Sequence, residues 1–338
     1  MMTGSPSAAP VGNEPAAGGN RRPTILLSEC SGFSRSVTER LHELGNLRLR
    51  DLQREDLLAE VADADVLWIR LRHRIDAEVL AAAPRLRAIV SPTTGLDHID
   101  VEAAATRSVA VLTLREHTAA LRDVRATAEH TIGLMLSLLR HLPAAFAHVG
   151  QGGWDRDLFW GGELYGKTIG IVGYGRLGRL VARYLNAFGA TVLVADRPGG
   201  TPSELEEGIE ACDLDELLGR SSIVSLHASL NETSREMIGE REIAVMQQDA
   251  LLVNTARGAL VREDALLAAL RDGRLAGAAL DVVADEHGEG SRELLDYARD
   301  HANLLVTPHI GGATIESREK TESLMADQLA AFLAAERS

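Results

Sequence analysis

Cysteine is almost absent. The 338 residues hold two, Cys30 and Cys212, neither in a C-x-x-C motif nor in a Cys/His cluster. This excludes a disulfide framework and a structural metal site, and predicts reduced thiols behaving as small buried apolar residues in a cytoplasmic protein. No apolar run is long enough to cross a bilayer. Residues 1–22, rich in Pro, Gly, Ala and Ser, lack the apolar core of a signal peptide and read as a disordered tail. Positive charge is also short: 35 Lys and Arg stand against 49 Asp and Glu, a formal net charge of -14. That argues against nucleic acid and anionic membranes as partners, while leaving room for a small anion held by a few local arginines.

What is present is an ordinary soluble composition, 45% hydrophobic and 25% charged, in a chain long enough for two domains. Short apolar runs at 24–28, 48–52, 66–71, 88–91 and 109–114 alternate with helical patterns such as 34–44 and 76–83. Such alternation implies a parallel sheet covered by helices, hence an α/β fold. The stretch 127–142 is apolar on nearly every face and predicts a buried helix near the crossing between domains. Further runs at 169–172, 192–194, 223–226, 251–254, 277–280 and 304–306 make six strands, the count of two mononucleotide-binding halves. The helical pattern at 317–335 is expected to return to the first domain.

The sharpest signal is Lys167 to Asp196, which reads as strand, turn, helix, strand. Gly173, Gly175 and Gly178 form G-x-G-x-x-G, where Gly173 allows a tight turn, Gly175 admits a pyrophosphate and Gly178 packs helix on sheet. Phosphates would meet the positive end of a helix starting near Arg176 and Leu177. Asp196 closes the second strand, where a carboxylate accepts from ribose hydroxyls and repels a 2′-phosphate, so NAD is expected over NADP. Arg197 beside it could bind that phosphate instead.

In an open parallel sheet, ligands bind beyond the carboxyl ends of the strands. His227, Arg257, Asp281, Glu286 and His309 each follow an apolar run. Their chemistry suits hydride transfer at a 2-oxo or 2-hydroxy acid. His309 could protonate the carbonyl oxygen near neutral pH, and Glu286 would favour its imidazolium form. Arg257 offers paired donors to a carboxylate and the reacting oxygen. Asp281 could accept from the nicotinamide amide, fix Arg257, or cap a turn. His227 could pack or contact the cofactor. Trp154 and Trp160 read as interface or core residues.

GLDHID (95–100), TAEHT (127–131), GELYGKTIGIVGYGRLG (162–178), NTARG (254–258), LDVVADE (280–286) and TPHIGG (307–312) together resemble the D-isomer-specific 2-hydroxyacid dehydrogenases of the D-3-phosphoglycerate dehydrogenase type. The resemblance implies two doubly wound domains, a Rossmann NAD-binding domain at 121–307 and a flavodoxin-like substrate domain at 23–120 and 308–338, with the cleft between them. It implies a homodimer joined through the NAD-binding domains. It assigns Arg257 to substrate binding, Glu286 to the acid partner and His309 to proton transfer, and places Thr255, Ala256 and Gly311 with the cofactor. Backbone donors near Thr94 and Gly95, and around Leu71 and Arg72, would hold the substrate carboxylate. The family's usual prolines are replaced by His287 after the catalytic Glu and by Ser229 after His227. The segment 114–130 is longer than the common form and carries Arg115, His117, Arg122 and Arg125. Either one or more of these arginines binds a second anionic group on the substrate, such as a phosphate, phosphonate or distal carboxylate, or they form a solvated basic loop face. No C-terminal regulatory domain or serine feedback is expected. Relatives that oxidise phosphite, and non-catalytic NAD-sensing corepressors, offer the alternative readings.

Overall fold

A computed structural model describes residues 21–117, 119–196 and 205–336. Nearly all of the expected tail, and Arg197, lie outside them.

The first sheet is fully parallel, with strands β1 (Thr24–Leu27), β2 (Asn46–Leu49), β3 (Val66–Trp68), β4 (Ala88–Ser91) and β5 (Ala110–Thr113). Their order, β2-β1-β3-β4-β5, is the flavodoxin-like one. Every residue of β1, β3 and β4 is buried, which is why these strands read as continuous apolar runs rather than alternating ones. Strand β2 lies two residues before its expected position. The helix Arg35–Leu44 ends at Gly45, whose N–H reaches Leu41 O at 3.1 Å, and Asn46 then donates at once to Pro23 O at 2.8 Å. A Cβ on Gly45 would lie 2.4 Å from Pro23 O, so only glycine lets pairing begin there.

The second sheet is also parallel: β6 (Thr168–Val172), β7 (Thr191–Ala195), β8 (Ile209–Ala211), β9 (Ile223–Leu226), β10 (Ala250–Asn254), β11 (Leu275–Leu280) and β12 (Leu304–Val306). The order β12-β11-β10-β9-β6-β7-β8 is the Rossmann arrangement with a seventh strand added beyond β11. The sequence reading of six strands omits β8. That edge strand is three residues long with only Ile209 buried, so it produces no apolar run.

The long helix Ile315–Ala335 crosses back to the first sheet, where Met325, Ala326, Leu329 and Leu333 share a core with Ile25, Leu27, Val66 and Trp68. The helix Ala126–Leu139 packs Leu134, Met135 and Leu138 against Ile169, Ile171 and Val253 of the second sheet and Val181 of the helix that follows β6. It stops three residues before its expected end. His141 takes a left-handed φ of 51° and Pro143, which has no N–H to donate, opens a second helix, Leu142–Gly150. Gly162 N caps the freed Leu139 carbonyl at 2.9 Å. Among the described residues, no single helix is long and apolar enough to cross a membrane.

Candidate active site

The nucleotide turn runs from the end of β6 into the helix Arg176–Ala187. Gly173 has a φ of +96°, and a Cβ there would sit 2.6 Å from Ala228 N. A Cβ on Gly178 would lie 2.0 Å from Gly173 O, so the helix approaches the turn as closely as the backbone allows. Gly175, the residue before the helix, faces open space within 4 Å. This is the clearance that a pyrophosphate at the start of a helix needs. Asp196 stands exposed just past the end of β7. The Arg176 side chain points elsewhere: its Nη1 donates to Leu121 O at 3.3 Å and Val124 O at 2.8 Å, and burial lowers its basicity. It ties the 120–124 segment to the nucleotide turn. Leu177 is partly buried against the neighbouring core.

On the other side of the sheet's switch point, Thr255 Oγ1 lies 2.8 Å from Thr131 Oγ1, and Ala256 N donates to Asn254 Oδ1 at 3.0 Å. These contacts hold the loop after β10 against the helix Ala126–Leu139. The His227 Nε2 lies 2.9 Å from Ser225 Oγ, while its Nδ1 is buried without a partner. Burial pushes its pKa down to about 4, so the ring is neutral at physiological pH.

Asp281, at the end of β11 and 1% exposed, organises the turn that carries His309. Its carboxylate accepts from Thr307 Oγ1 at 2.6 Å, Ile310 N at 2.9 Å and Gly311 N at 2.8 Å, and lies 3.2 Å from His130 Nε2. Its own carbonyl accepts from His309 N at 2.8 Å. Of the three roles open in the sequence, the turn is the one these bonds define. Burial raises its pKa, but the donors from His130, Thr307, Ile310 and Gly311 outweigh burial and hold it below the ordinary carboxylate value. The stability gained from a depressed carboxyl pKa is present above the unfolded value, about 3.9, and is lost as pH falls through the folded one. Asp281→Asn turns an acceptor-only group into one with two donors facing donors. It is expected to cost about 1–3 kcal/mol at neutral pH, with the gap to wild type closing below about pH 4, as urea unfolding across pH would show.

The turn holds His309 at a left-handed φ of 52° and aims its Nδ1 at Glu286, 2.8 Å from Oε2 and 3.0 Å from Oε1. An ionised carboxylate only accepts, so Nδ1 carries the proton and Nε2 is the nitrogen left for chemistry. Across the cleft, Arg257 Nε donates to the carboxylate of Asp97, which follows β4 of the first sheet, and Nη1 donates to Ala256 O at 2.7 Å. The guanidinium lies directly on Gly95.

Arg72 does not face a free seat: its N–H is shared by Glu29 Oε1 and Oε2 at 3.2 and 3.3 Å, and its Nη1 turns to Asp51 and Leu52 O. Thr94 adjoins Gly95 on the loop after β4. Arg115, Arg122 and Arg125 are exposed, and Arg125 lies 3.8 Å from Asp123. Three contributors escaped the sequence reading. Asp97 and His130 sit inside motifs noted for resemblance, GLDHID and TAEHT, which was their only signal. Thr131, the partner of Thr255, closes the same TAEHT motif.

Two parallel α/β sheets, one carrying a glycine-rich turn at a helix start, define a two-sheet dinucleotide-binding protein. Comparison narrows the class: residues 132–311 match the family model described as D-isomer specific 2-hydroxyacid dehydrogenase, NAD binding domain, and the chain belongs to that family. These residues are its NAD-binding domain, and NAD is its cofactor. The chain is 38% identical over 284 residues to D-3-phosphoglycerate dehydrogenase of Mycobacterium tuberculosis, covering 84% of this chain and 52% of that protein. The chain thus spans about half the length of that relative. Against glyoxylate reductase of Pyrococcus furiosus it is 40% identical over 290 residues, covering 84% and 83%. A solved D-lactate dehydrogenase from Aquifex aeolicus, in complex with NAD and lactic acid, superposes with a TM-score of 0.79 at 27% identity, covering 92% of this chain and 96% of that one.

Proposed function

We propose that the protein interconverts a D-2-hydroxy acid and its 2-oxo acid with NAD. The reading rests above all on His309, whose Nδ1 is fixed 2.8 Å from Glu286 while Nε2 remains available in a cleft that also holds Arg257. NADH, held at the turn of Gly173, Gly175 and Gly178, would supply the hydride. His309 Nε2 gives a proton to the carbonyl oxygen as it becomes a hydroxyl, Glu286 fixes the ring through Nδ1, and Arg257 holds the substrate carboxylate. In the oxidative direction His309 takes that proton back.

The test is NADH oxidation by the purified protein against 2-oxo acids with and without a phosphate or second carboxylate. Turnover of at least one is expected, and none with any member sinks the reading. The exposed Arg115, Arg122 and Arg125 favour a doubly anionic substrate. Should Arg115→Ala, Arg122→Ala and Arg125→Ala all leave KM unchanged, that part is wrong.

Asp196 selects the cofactor. Asp196→Ala is expected to weaken NADH by about tenfold and to narrow the gap to NADPH, read as Kd values from fluorescence titration. An unchanged ratio would remove the carboxylate from that role.

The molecule works as a homodimer in this reading. Phe146, Trp154, Trp160 and Tyr165 are 75%, 90%, 81% and 74% exposed on one stretch after the helix Ala126–Leu139. Neither tryptophan is a core residue, and four large apolar side chains exposed along one stretch support an interface there. Light scattering should give a dimer mass for the wild type and a monomer for Trp154→Ala/Trp160→Ala.

A further inference from the structure

We propose that Asp97 is the positioning residue for Arg257, setting the plane in which the guanidinium meets a substrate carboxylate; this rests on the dehydrogenase reading above. Asp97 stands on the first sheet and Arg257 on the second, 160 residues apart in sequence, so their ion pair joins the two walls of the cleft. Asp97 holds Nε while Ala256 O holds Nη1 at 2.7 Å. A guanidinium has five N–H donors in one plane. Two anchored donors on different nitrogens fix that plane, and the remaining three, both on Nη2 among them, keep a single direction. An unanchored arginine would pay rotamer entropy at each binding event, and a misplaced donor forfeits near-attack geometry.

Asp97 is itself well supported. It lies in a tight turn in which Ile99 N donates to Leu96 O at 2.8 Å, and Ile75 N donates to His98 O at 2.7 Å. The next side chain, His98, is 8% exposed and lies 3.2 Å from Ser91 Oγ. The Asp97 carboxylate therefore projects from a rigid base, as a positioning group must. Its negative charge offsets part of the arginine's, so the seat selects a carboxylate by donor geometry as well as by charge.

The opposite expectation is equally concrete. If Asp97 merely occupies Arg257 until substrate arrives, its removal should tighten anion binding. The experiment uses the full chain saturated with NADH, titrated calorimetrically with oxalate as an unreactive carboxylate probe, beside steady-state kinetics on the best 2-oxo acid. Asp97→Asn is expected to weaken oxalate about tenfold or more and to lower kcat as well as raise KM, with Kd for NADH unchanged. Asp97→Glu, which keeps the charge, should recover part of the loss. Oxalate binding by Asp97→Asn that is tighter than wild type, or within about twofold of it, overturns the proposal alone. No oxalate binding by the wild type overturns the dehydrogenase reading and the role of Asp97 with it.

Discussion

His309→Asn is expected to lower kcat for 2-oxo acid reduction by about two to four orders of magnitude while leaving the Kd for NADH and the unfolding midpoint at or above wild-type values. The loss follows from chemistry: hydride arriving at a carbonyl carbon builds negative charge on oxygen, and an amide has no proton to release at that moment. The retained stability follows from backbone. His309 occupies a left-handed φ of 52°, a region that asparagine tolerates better than most residues. Its N–H bonds to Asp281 O and Thr307 O are main-chain bonds that the substitution does not touch. The bonds by which Asp281 holds Ile310 and Gly311 are likewise intact, so the turn keeps its shape. Steady-state kinetics, a fluorescence titration with NADH and a thermal melt on one preparation separate the effects. A kcat within about tenfold of wild type would mean that another group, or water, carries the proton.

The residues that were legible in the sequence share one physical property: each closes an apolar run. Val306 ends β12 three residues before His309, and Asn254 ends β10 three residues before Arg257, so the buried strands themselves point to the groups beyond their carboxyl ends. That the strands of both sheets run parallel was implied by βα alternation, because parallel strands need crossovers and crossovers leave helical patterns. The doubly wound arrangement of each sheet came instead with the family resemblance. Strand β8 was not legible, since an edge strand with one buried residue leaves no hydrophobic trace. The Asp97–Arg257 pair was not legible either. A contact between loops of different sheets depends on how those sheets are set against each other, and local pattern carries nothing about that. Asp281 shows the intermediate case: its place past β11 marked it, while the choice among cofactor, arginine and turn needed the three donors that converge on it. For Arg72, resemblance marked the neighbourhood, but Glu29 already holds its N–H.

Gly95→Ala adds a single carbon yet is expected to cost about a hundredfold or more in kcat/KM. A Cβ on Gly95 would fall 1.4 Å from Arg257 Nη2 and 2.5 Å from its Cζ. Contacts that short cannot exist, so either the guanidinium leaves or the loop after β4 does. The guanidinium is the far end of a flexible side chain and will yield first. Its departure, however, breaks the bond from Nε to Asp97 and the bond from Nη1 to Ala256 O, the two contacts that fix its plane. One methyl group thereby removes both the donor and its support, whereas Asp97→Asn removes the support alone. The NAD-binding domain lies on the other side of the cleft, so the Kd for NADH should not move, and the fold should lose little because no buried strand is disturbed. Gly219→Ala supplies the contrast: it sits in the helix Leu214–Arg220, where a Cβ meets nothing closer than Val245 O at 3.9 Å, and full activity is expected. If Gly95→Ala turns over 2-oxo acid within about threefold of the Gly219→Ala rate, Arg257 can work from another position and the glycine is not there for clearance.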